Sequence, residues 1–586
     1  MAARSSQTRG SAPTRPRKQP PAPPPQILER LHPAVFLIAL LSVGAAIFAL
    51  YSPALDFQFI LDDHRFLTDP RLQSSGHVWE YFTHYVWAQF VGGAPSFYRP
   101  IFILWLRLNF ILCGMSPWGW HLLSIAKHLA VAALLGLLVW RLLRDRLAVL
   151  IAVSLFALHP AQTESVAWVT VPDPLMAAGI LGAVLLYLRY ADELSITVEN
   201  TTRKSGKKSR KARSKSASYP WLWLAASAAV GFAALLAKET AIILPVVIFA
   251  LALLIPGKQN GSPQLAEGRF LSRLGRALLP TSPFLCAAAL YLIVRFYALE
   301  GRLATQTQQL PGRVVLMSWP AVLWFYVKVL FWPVHSRAFA DPTLVKMFSL
   351  RAVMLPALGV ACAAAGLAAL LHWARKKARH DLPPAAAVGV EYALLVGTLL
   401  LVLPILLALD LNALNPGDFL HGRYTYLPLA GLSLLIAVAW RLAGKAQLPL
   451  LCAAGGVIVA LSALTFRQEP QWKDDATVFA VAHELAPNNR PVAQNLANTR
   501  VQAALALADQ GRCREALPVL ENVMREFPDD WLAWAAMGDC YVQLDNLPQA
   551  EAALHRAAEL SHKPQVREQW QAVRARMQEL GLPVPK

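Results

Sequence analysis

The sequence predicts an all-α protein that crosses a membrane many times and ends in a water-soluble helical-repeat domain. Three observations predict this. The 586 residues are 56% apolar and only 16% charged, with a mean hydropathy of +0.40, far from a soluble domain. The apolar residues come in runs of about 20, the length that carries a helix across ~30 Å of hydrocarbon. After residue 467 those runs stop and a period of 34 residues begins.

The formal charge of +19 would suit nucleic-acid binding, but its placement argues against such a partner. Lys and Arg cluster in short segments between apolar runs, the pattern of a topology signal. The six cysteines (113, 286, 362, 452, 513, 540) show neither CxxC nor metal-ligand spacing. Residues 1–32, rich in Pro and Arg, have no apolar centre and read as a disordered, basic cytoplasmic tail rather than a signal peptide. The first run, 33–52, is long enough to stay in the membrane as a helix.

Further runs lie near 120–140, 147–158, 174–190, 219–236, 240–256, 277–296, 352–373, 388–409, 424–441 and 448–466. Two more, 98–113 and 318–334, carry an internal charge (Arg107, Lys328) and prolines near their ends. The distribution of positive charge arbitrates. With these two lying along the surface, inner loops hold 28 Lys and Arg and outer loops 12, six of those in 297–351. If both spanned, Arg141, Arg144, Arg146 and the 203–215 tract would turn outward. The expectation is therefore about 11 transmembrane helices, N-terminus inside and C-terminus outside, with two interfacial or re-entrant helices. The domains follow: tail 1–32, membrane domain 33–466 with a first outer loop at 53–119, and a repeat domain at 467–586.

In the repeat domain Ala516 matches Ala550, Leu520 matches Leu554, and Gln510-Gly511 matches Leu544-Asp545. Trp534, Met537-Gly538, Tyr541, Ala550, Leu554 and Ala557 fit the tetratricopeptide pattern of paired antiparallel helices. Two repeats, 497–530 and 531–564, are expected, with a helix before them and a cap at 565–581. Stacked repeats form a concave surface suited to protein; a plain stabilising cap is the alternative. Cys513 and Cys540 fall on adjacent units, where a disulfide or two thiols are both open.

The assigned topology collects the unusual polar groups on the outer face: Asp62-Asp63, Tyr98-Arg99-Pro100, His159 to Glu164, Asp173, Lys238-Glu239 and Arg423-Tyr424. An ionised Asp in such a place can act as general base on an acceptor hydroxyl. A phosphate leaving group needs cations, and the planar fork of Arg suits its oxygens. Arg99, Arg423 and Lys238 are the candidates. Plainer roles stand beside these. Asp62 or Asp63 can cap a helix, Arg99 and Arg423 can anchor at the interface, Lys238 and Glu239 can neutralise each other, and His159 and Glu164 can make structural hydrogen bonds. Lys127, His128 and Arg295 are the polar exceptions within otherwise apolar spans.

As an ordered set, several segments resemble a known family. They are Phe-Ile-Leu-Asp-Asp (59–63), Tyr-Arg-Pro (98–100) with Arg107-Leu-Asn109, Trp-His-Leu-Leu (120–123) with His128, His-Pro-Ala-Gln-Thr-Glu-Ser-Val-Ala (159–167), Ala-Lys-Glu-Thr (237–240), and Gly-Arg-Tyr-Thr-Tyr-Leu-Pro (422–428). Together they look like the transmembrane and tetratricopeptide repeat-containing protein O-mannosyltransferases and their bacterial relatives, which are similar in fold to GT-C glycosyltransferases. The resemblance implies transfer of a mannose-like hexose from a polyprenyl-phosphate sugar to a hydroxyl, with protein Ser/Thr favoured by the repeats. It implies that one of Asp62 and Asp63 is the base, and that Glu164, Asp173, Lys238 and Arg423 line the donor pocket; Tyr98, Arg99 and Tyr424 join the donor side, and His159 and Glu239 the pocket. Where the family often has Gly-Arg-Ala-Asp, this chain has Thr170-Val-Pro-Asp173, keeping the acid and lacking the arginine.

The expected location is a bacterial inner membrane, with cytoplasmic N-terminus and periplasmic repeats. No metal-ligand spacing is visible, although the first-loop acids are of the kind that hold a divalent cation. Other readings are a same-fold enzyme glycosylating a lipid or glycan, a non-catalytic membrane scaffold for the repeats, and a transporter, which would need polar groups near mid-membrane.

Overall fold

The structure, a computed structural model, describes residues 31–90, 97–206, 219–254, 266–302, 309–335, 344–413 and 420–585. The tail through residue 30, and the basic tract 203–215 beyond Gly206, lie outside the described residues. Among these no residue is in a strand. The membrane part contains α1 (Pro33–Tyr51), α2 (Asp62–Leu67), α3 (Pro100–Cys113), α4 (Pro117–Leu143), α5 (Arg146–Ala157), α6 (Asp173–Gly206) and α7 (Pro220–Ala237). It continues with α8 (Leu244–Leu254), α9 (Ala266–Ala298), α10 (Gly312–Phe331), α11 (Leu355–Asp381), α12 (Pro384–Leu407), α13 (Tyr426–Leu442) and α14 (Gln447–Gln468).

Among the described residues ten helices are long and apolar enough to cross a membrane, or eleven if α5 and the Pro160–Ala167 segment, bent by 55°, form one broken span. The expected span at 240–256 is shorter than foreseen. A 3-10 turn at Glu239–Ile243 precedes α8, and the pair makes an apolar helix of under 18 residues up to Leu254. α10 qualifies on length and composition, yet its contacts keep it at one end of the bundle. Before its start Leu310 N–H donates to Asn412 Oδ1 (2.9 Å), midway Trp319 Nε1 donates to the Leu409 carbonyl (3.0 Å), and at its end the Leu330 carbonyl meets His159 Nε2 (3.3 Å). All three partners are loops leaving the same end of the bundle, so α10 lies across that end. α3 does likewise: Arg99 at its start pairs with Glu239, and the Gly114 carbonyl at its end accepts from Trp120 Nε1 (3.0 Å).

The opposite end is basic. There Arg141 pairs with Asp192 (2.5 Å), Arg441 with Asp145 (3.9 Å), and Arg375 and Arg379 share Glu391 (3.3 and 3.1 Å). The helices between the ends pack through small residues, as helices in lipid do. α12 and α13 cross so closely that a Cβ on Gly431 would stand 2.5 Å from the Gly397 carbonyl oxygen and 2.6 Å from Leu401 N.

The C-terminal domain contains α15 (Asp475–Leu485), α16 (Arg490–Asp509), α17 (Cys513–Glu526), α18 (Trp531–Gln543), α19 (Leu547–Ser561) and α20 (Pro564–Glu579). The pairs α16/α17 and α18/α19 fall where the two repeats were expected, except that the first begins earlier, at Arg490 instead of 497; α15 precedes them and α20 follows. Their shared core includes Ala504, Ala516, Leu520, Ala533, Ala536 and Ala553. Gly538 lies against Leu554, where a Cβ would come within 2.5 Å of Cγ, which explains the small residue at that repeat position. Cys513 and Cys540 are buried free thiols, and Cys513 Sγ donates to Gln543 Oε1 (3.3 Å). The domain sits on the end of the bundle opposite the basic one: Trp472 packs with Ala54, Phe57, Ile60, Trp168 and Val171.

Candidate functional site

At that end the loops enclose a cavity of about 390 Å³. Its wall is built from the first loop (Asp62, Phe66, Trp87, Arg99), the turn between α5 and α6 (Trp168 to Asp173), the α7–α8 junction (Lys238, Glu239, Thr240), the end of α9 (Tyr291, Arg295), the end of α12 (Pro404 to Asp410) and the turn before α13 (Arg423, Tyr424). Four cations and four carboxylates thus face one space, contributed by segments up to 361 residues apart, from Asp62 to Arg423. Leu292 and Leu407 also line it and are each 44% exposed, so the wall reaches the apolar outer surface of the bundle.

The structure separates the acidic pair. Asp62 and Asp63 occupy the first turn of α2, whose N-cap is Leu61 with a left-handed φ of 54° and no side-chain cap bond. Asp62 is half-buried and lines the cavity. Asp63 is fully buried behind it. It accepts from Ile60 N–H (3.0 Å), Thr170 N–H (3.2 Å) and Thr170 Oγ1 (2.6 Å), and so fastens the 168–171 turn to the first loop. Burial pushes the Asp63 carboxyl up to about 7, against the pull of those hydrogen bonds. The N-cap role considered for this pair is therefore replaced. The cap position belongs to Leu61, one acid faces the cavity, and the other is a latch.

The α7–α8 junction is also resolved differently from the sequence expectation. Lys238 has an extended backbone (φ −157°, ψ 135°), and side chains of successive residues on such a backbone point opposite ways. Lys238 and Glu239 therefore take different direct ion-pair partners. Lys238 Nζ donates to Asp173 Oδ1 (2.6 Å), whereas Glu239 receives a bidentate pair from Arg99, through Nε (2.9 Å) and Nη2 (2.5 Å). Burial lowers the Lys238 ammonium below its ordinary value, opposed by Asp173 and reinforced by Arg99 and Arg423.

Arg423 rests on two aromatic faces, 4.6 Å from the Trp168 ring centroid and 5.6 Å from that of Tyr424, and Lys238 Nζ is 4.9 Å from the Tyr424 ring. Glu164 lies beneath Arg423 and outside the cavity wall. Its Oε2 accepts from Arg423 N–H (2.9 Å), and its Oε1 takes Arg423 Nη1 (3.2 Å) and His421 Nδ1 (3.0 Å). Glu164 accordingly orients the arginine instead of touching a ligand. Two further candidates also fall away from the wall. Tyr98 is buried, with its hydroxyl donating to the Phe82 carbonyl (2.9 Å) and its own carbonyl accepting from Tyr291 (3.4 Å). His159 is bound on both ring nitrogens, to Ala161 N–H (3.1 Å) and the Leu330 carbonyl (3.3 Å), and holds the α5 turn against α10.

Of the residues singled out in the sequence, Asp62, Arg99, Asp173, Lys238, Glu239, Arg423 and Tyr424 share the cavity; Asp63, Tyr98, His159 and Glu164 support it from behind. The sequence missed Arg295 and Asp410 as wall residues. Both carried a signal, a charge in the last turn of an apolar helix and a charge directly after one. His128 and Lys127 are structural. His128 binds the Tyr426 hydroxyl (2.8 Å) and the Ala157 carbonyl (3.1 Å), and Lys127 Nζ reaches the Val171 carbonyl (3.4 Å).

Fold and site define a multi-span helical membrane protein with a charged cavity at one end and a tetratricopeptide-repeat domain beside it. A Tetratricopeptide repeat family model matches residues 507–577. Among curated proteins the chain is similar to Protein O-mannosyl-transferase Tmtc2 of Drosophila melanogaster, 32% identical over 217 residues, covering 36% of this chain and 21% of that protein. Tmtc1 of the same organism is 28% identical over 235 residues (40% and 25%), and human TMTC4 is 28% identical over 239 residues (38% and 30%). The matches thus span about a fifth to under a third of these relatives' lengths. The chain is a relative of these O-mannosyl-transferases. Among solved structures it is similar to the oligosaccharyltransferase of Archaeoglobus fulgidus in its apo form, at 11% identity and a TM-score of 0.38, over 78% of this chain and 57% of that one.

Proposed function

We propose that this chain transfers a mannose-like hexose from a polyprenyl-phosphate donor to a hydroxyl, that of a protein Ser or Thr, on the outer face of a bacterial inner membrane. The observation that carries the reading is the shared cavity, in which a half-buried carboxylate, Asp62, faces the same space as Arg99, Lys238, Arg295 and Arg423. Asp62 takes the proton of the acceptor hydroxyl as the new bond from its oxygen to the sugar C1 forms. The bond from C1 to the phosphate oxygen breaks on the opposite face, so the anomeric configuration inverts. The departing polyprenyl phosphate gains negative charge, and the arginines and Lys238 are placed to offset it. The apolar wall around Leu292 and Leu407, open to the side of the bundle, suits a lipid chain entering from the membrane. The repeat domain on the same end suits a protein acceptor.

The test is transfer by the full chain in vesicles supplied with a synthetic polyprenyl-phosphate mannose and a Ser/Thr-rich acceptor peptide, read by intact mass. Asp62→Asn is expected to lower the rate by a factor of about 10² or more, in the range for a lost general base. Full activity of that variant would remove the assigned base, and a parent chain inactive with every lipid-phosphate hexose would remove the reading itself.

A further inference from the structure

We propose that the first residues of the repeat domain position the catalytic acid: Asp475, at the start of α15, acts as a brace for the loop that carries Asp62. This rests on the reading of Asp62 as the base.

The loop needs an external hold. Leu61, immediately before Asp62, is a non-glycine residue in the left-handed region (φ 54°), a conformation that costs free energy and persists only when its surroundings impose it. As N-cap of α2 it offers no side-chain oxygen to the helix, and its own N–H needs a partner. Asp475 supplies one. Its Oδ1 accepts the Leu61 N–H at 2.8 Å, and its Oδ2 lies 3.0 Å from His64 Nε2, one turn further along α2. A single carboxylate thus bridges the residue before Asp62 and the residue two after it. The neighbouring backbone adds a third bond, from Gln58 N–H to the Lys473 carbonyl (2.9 Å). Trp472, 2% exposed, fills the space between Phe57 and Ile60 of the loop and Trp168 and Val171 of the cavity turn.

Asp475 is not needed to start its own helix. Asp474 is the N-cap of α15 and accepts from Thr477 N–H (2.8 Å) and Thr477 Oγ1 (2.7 Å). The Asp475 side chain is thereby spared for contacts 411 and 414 positions away in sequence. The consequence is mechanical. The helix that begins the repeat domain holds, through one carboxylate, the residues on either side of Asp62, so strain on the repeats reaches the loop that carries Asp62 through Asp475. Displacing a reacting group by about 1 Å can cost about 10²-fold in rate.

The experiment compares Asp475→Ala and Asp475→Asn in the full chain, by transfer kinetics and by hydrogen–deuterium exchange. Asn keeps an oxygen for Leu61 N–H and an amide that can donate to His64 Nε2, whereas Ala keeps neither. The expected result for Asp475→Ala is a kcat lowered ten- to a hundredfold, a donor KM within about threefold of the parent, and faster exchange in the peptide covering 57–66 with exchange in 513–526 unchanged. Asp475→Asn should recover most of kcat and of the protection. Unchanged exchange at 57–66 in Asp475→Ala overturns the brace, as does loss of protection equally in 513–526, which would make Asp475 a general folding residue. If exchange rises as expected while Asp62→Asn remains fully active, the brace stands and it is the base assignment that falls.

Discussion

Glu164→Gln isolates the role of a residue that lies under the cavity without lining it. The carboxylate satisfies three donors with two oxygens: Arg423 N–H at 2.9 Å on one, Arg423 Nη1 at 3.2 Å and His421 Nδ1 at 3.0 Å on the other. Glutamine has the same shape but only one oxygen, so its amide N–H₂ must confront either the Arg423 backbone N–H or the guanidinium and imidazole. One buried donor is left unsatisfied, at a cost of about 1–3 kcal/mol. Arg423 is also held by stacking on Trp168, so the bond most readily surrendered is the one that fixes its fork. If ~2 kcal/mol of that loss is felt where charge develops on the phosphate, kcat/KM falls by roughly thirtyfold. The assay is vesicle transfer at varied donor concentration, with thermal unfolding of the same preparations as control. Because Glu164 and Arg423 act as one unit, Glu164→Gln/Arg423→Lys should lose much less than the product of the single losses. A Glu164→Gln chain whose kcat/KM stays within twofold of the parent would refute the claim that Glu164 orients the arginine.

Three other substitutions test the buried charges. Burial raises Asp63 from an ordinary 3.8 to about 7, so the folded chain keeps a proton that the unfolded chain releases; the resulting stability is fully present below about pH 4 and is lost as pH rises through about 7. The parent's thermal midpoint should therefore fall between pH 5 and 7.5 more steeply than that of Asp63→Asn; equal slopes would show that Asp63 does not titrate there. Asp173→Asn leaves the buried Lys238 ammonium under-compensated, at a cost of about 3–5 kcal/mol, and adding Lys238→Met should restore most of that loss; a double variant no more stable than Asp173→Asn would deny the pairing.

What was legible in the sequence follows from the range of each interaction. Helices and repeats are written locally: apolar runs of membrane length gave most of the spans, and the 34-residue period gave α16 to α19. The collection of polar groups at one end was legible too, because each sits at the boundary of an apolar run. Pairing was not, since it depends on which side chains meet after folding. Lys238 and Glu239 are neighbours in sequence, and only the extended backbone at Lys238 shows that they serve Asp173 and Arg99 respectively. The same holds for Asp62 and Asp63, which one step of helix sends to different surroundings. His159 and Tyr98 looked like site residues because they border site segments, but their polar atoms are spent on backbone partners in elements that no local pattern links to them.

The pairing also bears on how a cavity walled by four cations can exist at the end of an apolar bundle. Unpaired cations buried there would each cost several kcal/mol; a lysine could shed its proton, but an arginine keeps its charge and would destabilise the site. Arg99 and Lys238 avoid that cost through Glu239 and Asp173, Arg423 through Glu164 behind the wall, and Arg295 donates to the Tyr291 hydroxyl (3.3 Å); with Asp62 and Asp410 also on the wall, its four cations face as many carboxylates. A phosphate entering such a wall does not meet bare charge; it competes with carboxylates for donors already in place. The net gain is then smaller than the Coulomb attraction suggests, and it is largest at the pair easiest to open. Lys238 and Asp173 are joined by a single bond, whereas Arg99 and Glu239 are joined by two, and Arg423 is held by its backbone as well as its side chain. The ammonium, being a point donor on a flexible stem, can turn from Asp173 to a phosphate oxygen without dismantling a planar fork. Among these three pairs, then, Lys238–Asp173 opens at the least cost, while Arg99 and Arg423 are the more firmly held.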